Sequence, residues 1–147
     1  MQIVHAMKLS AAAALLALGT AAFAQDSSYT PGNVWTFSYI KIEPGQFENY
    51  MDFLSKTWKK GNDYSVKEGD IVSYHVLQVN NARAGEPDLI LAIEAKDYLT
   101  NAQQLEIQKK YEDFMAKDNR KMTAESGDRK VMRKFVGGME LQELKLK

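Results

Sequence analysis

The stretch Val34-Trp35-Thr36-Phe37-Ser38-Tyr39-Ile40-Lys41-Ile42 constrains the fold more than any other part of the chain. Its aromatic and β-branched residues read as a strand. Successive side chains of a strand point to opposite faces. Trp35, Phe37, Tyr39 and Lys41 therefore share one face, and Val34, Thr36, Ser38, Ile40 and Ile42 the other. Neither face is fully polar, so both need cover. Glu43-Pro44-Gly45 ends the strand, and a proline is compatible with the first turn of a helix. Phe47, Tyr50, Met51, Leu54 and Trp58 then recur at helical spacing and form one apolar stripe. The stripe weakens at Gly61-Asn62 and extends toward Glu68, with Gly69 as a stop.

The rest of the chain alternates in the same way. Residues 71–79 predict a second strand with His75 at its middle, and 88–95 a third. The turn-rich loop 80–87 is short enough to join them as a hairpin. Residues 100–116 predict a second helix, with Leu105, Gln108, Tyr111, Phe114 and Met115 on its buried side. The charged stretch 117–130 leads to a short helix over 131–136, ended by Gly137-Gly138. Residues 139–147 predict a last strand whose apolar phase shifts between Leu141 and Leu144, as a bulge requires. The order β-α-β-β-α-β predicts an α+β, ferredoxin-like fold: a four-stranded antiparallel sheet with the helices on one face. The other face keeps large apolar groups, which predicts a homodimer packed sheet to sheet. Lysines in the last strand guard against open-ended edge pairing.

The N-terminus speaks to location. Lys8, an apolar run over 9–18, and Ala22-Phe23-Ala24 follow the order of a secretory signal peptide. Residues 1–24 are read as that signal, 25–33 as a flexible lead-in and 34–147 as a single domain, exported to the periplasm or beyond after cleavage near Gln25. Taking 24 residues from 147 leaves 123, the size of one domain. That segment carries one Lys and no acid, so 18 basic residues face 19 acidic ones in the remainder. Such a balance argues against nucleic acid as a partner. No other apolar run nears the ~20 residues of a membrane span. Cysteine is absent, which removes disulfides, thiolate chemistry and thiolate-held metals. His5 falls in the signal, leaving His75 as the one mature histidine and excluding a multi-histidine metal site within one chain. The sequence calls for no metal and no cofactor.

The first strand, the Pro44-Gly45 turn, the helix Phe47-x-x-Tyr50-x-x-x-Leu54 and Pro87-Asp88-Leu89-Ile90-Leu91 together resemble the dimeric α/β-barrel superfamily. That group includes antibiotic-biosynthesis monooxygenase-like and NIPSNAP-like proteins. The resemblance spans residues 34–147 and implies a dimeric barrel. It also implies a small-molecule site, in some members with cofactor-free oxidation or isomerisation. Haem-degrading members are expected to carry a proximal histidine on the second helix. Residues 100–116 contain none, which argues against that activity.

Candidate site residues follow from chemistry. His75 is a candidate general base, because the unperturbed imidazole pKa is about 6.5, although packing is the commoner fate of such a residue. Glu94 follows an apolar strand and either serves as a base, pairs with a partner, or stands in water at the strand end. Trp35, Tyr39 and Tyr74 offer rings and hydroxyls to a ligand, or pack the core and dimer face. Trp58 is expected to close the helical stripe, and Arg83 to be solvated or to clamp an anion. Arg129, Lys130, Arg133 and Lys134 form a small basic cluster offset by Glu125 and Asp128. The leading expectation is a homodimer that binds a small, mostly apolar molecule between sheet and helices, around Trp35, Tyr39, Tyr74 and His75. The alternatives are a cofactor-free monooxygenase or isomerase using His75 or Glu94, and an interaction module of the cell envelope.

Overall fold

The computed structural model describes residues 27–147. Residues 1–26, which include the segment read as a signal, the cleavage position expected near Gln25 and the first two residues of the expected lead-in, lie outside the described residues. Four strands, β1 (Tyr29–Ile42), β2 (Ser73–Gln78), β3 (Leu89–Ala95) and β4 (Arg133–Leu146), form one sheet in the order β2-β3-β1-β4. Every neighbouring pair is antiparallel. The class is α+β, and the sheet is compatible with a ferredoxin-like fold. Because β3 runs against both its neighbours, β1 and β2 point the same way. The helical segment between them therefore has to cross the sheet.

That segment is one continuous helix in three parts: α1 (Phe47–Phe53), a π-helical turn (Leu54–Trp58) and α2 (Lys59–Glu68). Pro44 and Gly45 form the turn that precedes it, with Gly45 at φ 75° and the Gln46 amide bonded to the Glu43 carbonyl at 3.0 Å. The helix does not stop at Gly61-Asn62. Both residues are buried, and Asn62 Nδ2 donates to the Trp58 carbonyl at 2.8 Å, which satisfies its amide inside the helix. Gly69 is the left-handed cap, as its sequence position predicts.

The core lies where this helix meets the sheet. Tyr50 and Leu54 are 2 % exposed and pack on Ile40, Leu89 and Leu91. Burying a leucine of this kind contributes about 1.5–3 kcal/mol. α3 (Asn101–Met115) opens with a capping box in which Thr100 accepts from the Gln103 amide and Gln103 reaches back to the Thr100 amide. It lies against α2, where Phe114 stacks on Tyr64 with centroids 4.0 Å apart. α4 (Asn119–Asp128) and a 3₁₀ turn (Arg129–Val131) lead into β4.

Three boundaries differ from the sequence reading. β1 begins at Tyr29, so residues 29–33 of the presumed lead-in are strand. Here β1 pairs with β4 alone, and Pro31 sits where no second neighbour needs its missing amide hydrogen. The register shift expected between Leu141 and Leu144 is present, but the extra residue belongs to β1, between Pro31 and Val34. Residues 133–136 are strand, not helix. Gly137 and Gly138 continue the strand instead of ending a helix. A second register shift falls beside them, between Tyr39 and Ile40, and a Cβ on Gly138 would come 2.7 Å from the Phe37 carbonyl oxygen.

Candidate functional site

The register divides the candidate residues between two faces of the sheet. On the face away from Tyr50 and Leu54, cross-strand pairing lines up three rows: Ser73, Glu94, Trp35 and Leu141; then His75, Ala92, Phe37 and Met139; then Leu77, Ile90, Tyr39 and Gly137. Trp35, His75 and Tyr39 therefore share this open face. Tyr74 points the other way, beside the helix.

At one end of the open face a polar chain forms. Glu94 accepts from Ser73 Oγ and from Asn33 Nδ2, each at 2.7 Å. The Ser73 hydroxyl proton is thus committed to Glu94, and its oxygen faces His75 Nε2 at 3.3 Å. The Ser73 oxygen is thus left to accept from His75 Nε2. The His75 ring lies nearly parallel to Trp35, 22° apart with centroids at 6.2 Å. The hydrogen bonds from Ser73 and then Asn33 hold the Glu94 carboxyl below the usual glutamate range. A carboxylate stabilised in this way is a weak proton acceptor at neutral pH.

Tyr74 belongs to a different place, the seam between the helix and the edge strand β2. A recess of about 170 Å³ opens there, walled by Met51, Leu54, Trp58, Tyr74 and Val76. Trp58 meets Tyr74 edge to face, with centroids 5.2 Å apart and planes at 85°. The rim is polar. Tyr74 Oη donates to Asp63 Oδ1, and Lys59 Nζ pairs with Asp63 Oδ2, each at 2.5 Å. The Asp63 bond pushes the Tyr74 hydroxyl above its ordinary pKa, so it stays a neutral donor. The π turn supplies Leu54, Ser55 and Trp58 to this recess. π turns recur at functional sites because they re-aim side chains within a helix.

The remaining candidates stand apart. Tyr39 lies in the row farthest from Trp35, beside Gly137. Arg83 is spent locally on Glu86, through its backbone amide at 2.8 Å and its guanidinium Nε at 2.6 Å. Asn33, the second donor to Glu94, and Asp63, the partner of Tyr74, carry no motif that marks them in sequence, and neither do Met51 and Val76 as walls of a recess. The i, i+4 spacing of Lys59 and Asp63 was visible, but their meeting with Tyr74 depends on how the helix crosses the sheet.

Among the described residues no group of three or more His, Cys, Asp or Glu side chains is placed to hold a metal ion. No helix among them is long and apolar enough to cross a membrane. No family model, no curated protein and no solved structure matches the chain.

Proposed function

We propose that this protein binds a small, mostly apolar molecule in the seam recess. In this reading it works as an exported homodimer of the ferredoxin-like, dimeric α/β-barrel kind. The observation that carries the binding reading is the recess itself. Its walls are side chains of Met, Leu, Trp and Val, and its polar groups stand only at the rim. A dry apolar cavity of about 150 Å³ is enough to hold one benzene-sized ring, so ~170 Å³ suits a ligand on that scale. The Tyr74 hydroxyl and Lys59 ammonium would orient a single polar substituent.

Trp35, Tyr39 and His75 take a different role in this reading from the one their composition first suggested. They floor the face on which a second copy would pack. Leu77, Met139 and Leu141 are each nearly half exposed on that face, and contiguous apolar surface of this kind marks interaction sites. The proton-abstraction alternative draws least support from Glu94, since the bonds from Ser73 and Asn33 favour its ionised form.

The test is a ¹H–¹⁵N titration of the full chain with toluene, in the wild type and in Val76→Phe, which fills the recess from its wall. Saturable shifts at Met51, Leu54 and Val76 that disappear in the variant are expected. No saturable shift in the wild type refutes the reading.

A further inference from the structure

The basic cluster at the start of β4 does not behave as one surface. Lys130 and Lys134 are exposed, whereas Arg129 and Arg133 are half-buried, Arg129 against Phe53 and Arg133 against Tyr50. Arg129 lies with its guanidinium carbon 4.3 Å over the Phe53 ring, which fixes its plane and leaves the edge to make hydrogen bonds. Arg133 donates one terminal nitrogen to Ser126 Oγ at 3.2 Å. The Nε groups of both arginines are buried and have no acceptor. Among the described residues no carboxylate forms an ion pair with either one. Each guanidinium thus keeps one buried donor without an acceptor, a cost that water or an anion can relieve.

Arg129 opens onto a cavity of about 180 Å³ between α1, α3 and α4. Trp58, Tyr111, Met115 and Met122 form its apolar walls. Its other charged groups are Lys117 and Glu125, paired to each other at 2.7 Å. The lining thus carries two positive charges against one negative, with Arg133 behind Arg129. We infer that this cavity binds a small organic monocarboxylate, whose carboxylate is received at Arg129 and whose hydrocarbon body lies against Tyr111 and Met115. Glu125 decides the charge of the ligand: a monoanion balances the excess, while a dianion such as a phosphate monoester would be repelled. The cavity volume decides the size, about one ring beyond the head group. Burial, followed by the repulsion from Arg133, already lowers the Arg129 pKa, and a bound carboxylate would reverse that pressure.

This site is separate from the seam recess, although Trp58 lines both, and the readout has to tell them apart. The experiment is a calorimetric and ¹H–¹⁵N titration of the full chain with benzoate and with benzamide, its neutral near-isostere. Benzoate is expected to bind at least about ten-fold more tightly than benzamide, the worth of one charge-assisted hydrogen bond. Its shifts should centre on Tyr111, Met115 and Arg129, and Arg129→Gln should reduce benzoate to the benzamide level. Equal binding of the two ligands overturns the inference, as does complete displacement of benzoate by equimolar chloride. Shifts confined to Met51, Leu54 and Val76 overturn it as well and leave the recess as the only site. The comparison of the two ligands on the wild type stands even where Arg129→Gln does not fold.

Discussion

Gly61 should behave as a glycine the protein needs, although it sits in the middle of a helix. In an open helix, replacing glycine with alanine stabilises by about 1 kcal/mol, because glycine loses more backbone freedom on folding. Gly61 is buried where α2 faces α3. A Cβ there would land on the Tyr111 hydroxyl and come 2.9 Å from Tyr111 Cζ. Relieving an overpacked contact of this kind costs about 1–3 kcal/mol. The net effect of Gly61→Ala is therefore a loss of up to about 2 kcal/mol, the helix-propensity gain being offset by the clash. Tyr111→Phe removes the oxygen but leaves the ring carbon in place, so in combination it should recover part of the loss. The coupling between the two changes should be about 0.5 kcal/mol or more. Urea unfolding followed by circular dichroism, with the slope unchanged across the set, measures all three variants. A Gly61→Ala protein more stable than the wild type by ~1 kcal/mol, with no coupling to Tyr111, would mean that α3 does not lie against α2. The wall that Tyr111 gives to the arginine cavity would go with it.

Three shorter predictions address other parts of the molecule. Phe37→Lys, in the middle row of the open face, should turn a dimer into a monomer in sedimentation equilibrium; a wild-type monomer at micromolar concentration sinks the sheet-to-sheet reading. Glu94 has a depressed pKa in the folded state, so it adds stability above its unfolded value of about 4.3, and that stability is lost as pH falls through the lower folded value. Glu94→Gln should thus be less stable than the wild type above about pH 5, with the difference closing in more acid solution; superimposable Tm–pH curves contradict this. Asp70 behaves in the opposite way, because desolvation raises its pKa and its Oδ2 is buried without a donor. Its contribution to stability is present in acid and lost as pH rises through the folded pKa, so Asp70→Asn should raise Tm at pH 7 and not at pH 3, and a drop at pH 7 counts against the claim.

Much of the framework was legible because it rests on periodicity. Phe47, Tyr50, Met51, Leu54 and Trp58 could only be a helical stripe, and the alternation in β1 could only be a strand with two apolar faces. The element order followed from these and from the hairpin loop. The candidate site was less legible. Trp35, Tyr39, Tyr74 and His75 looked like one set because all four lie on strands, yet a strand sends neighbouring residues to opposite faces. Tyr74 and His75 are adjacent in sequence and so had to part. Which of them would join Trp35 depended on the pairing of Ser73 with Glu94 and of Glu94 with Trp35, a register that no single strand encodes.

The misread segment 131–136 and the inward position of Arg133 have a common origin. Val131, Met132, Phe135 and Val136 suit a helix end as well as a strand, and Gly137-Gly138 resembles a helix stop. In sequence Arg129, Lys130, Arg133 and Lys134 form one small basic cluster offset by Glu125 and Asp128. The chain instead changes from a 3₁₀ turn to a strand between Val131 and Arg133. Once the period becomes two, Arg133 and Lys134 must separate, one toward the helices beside Ile42 and one toward the open face beside Lys41. Lys134 then finds Glu43 at 3.1 Å, while Arg133 is carried inward beside Tyr50 and Arg129. The change of period thus divides the patch, leaving Lys134 exposed and Arg133 half-buried.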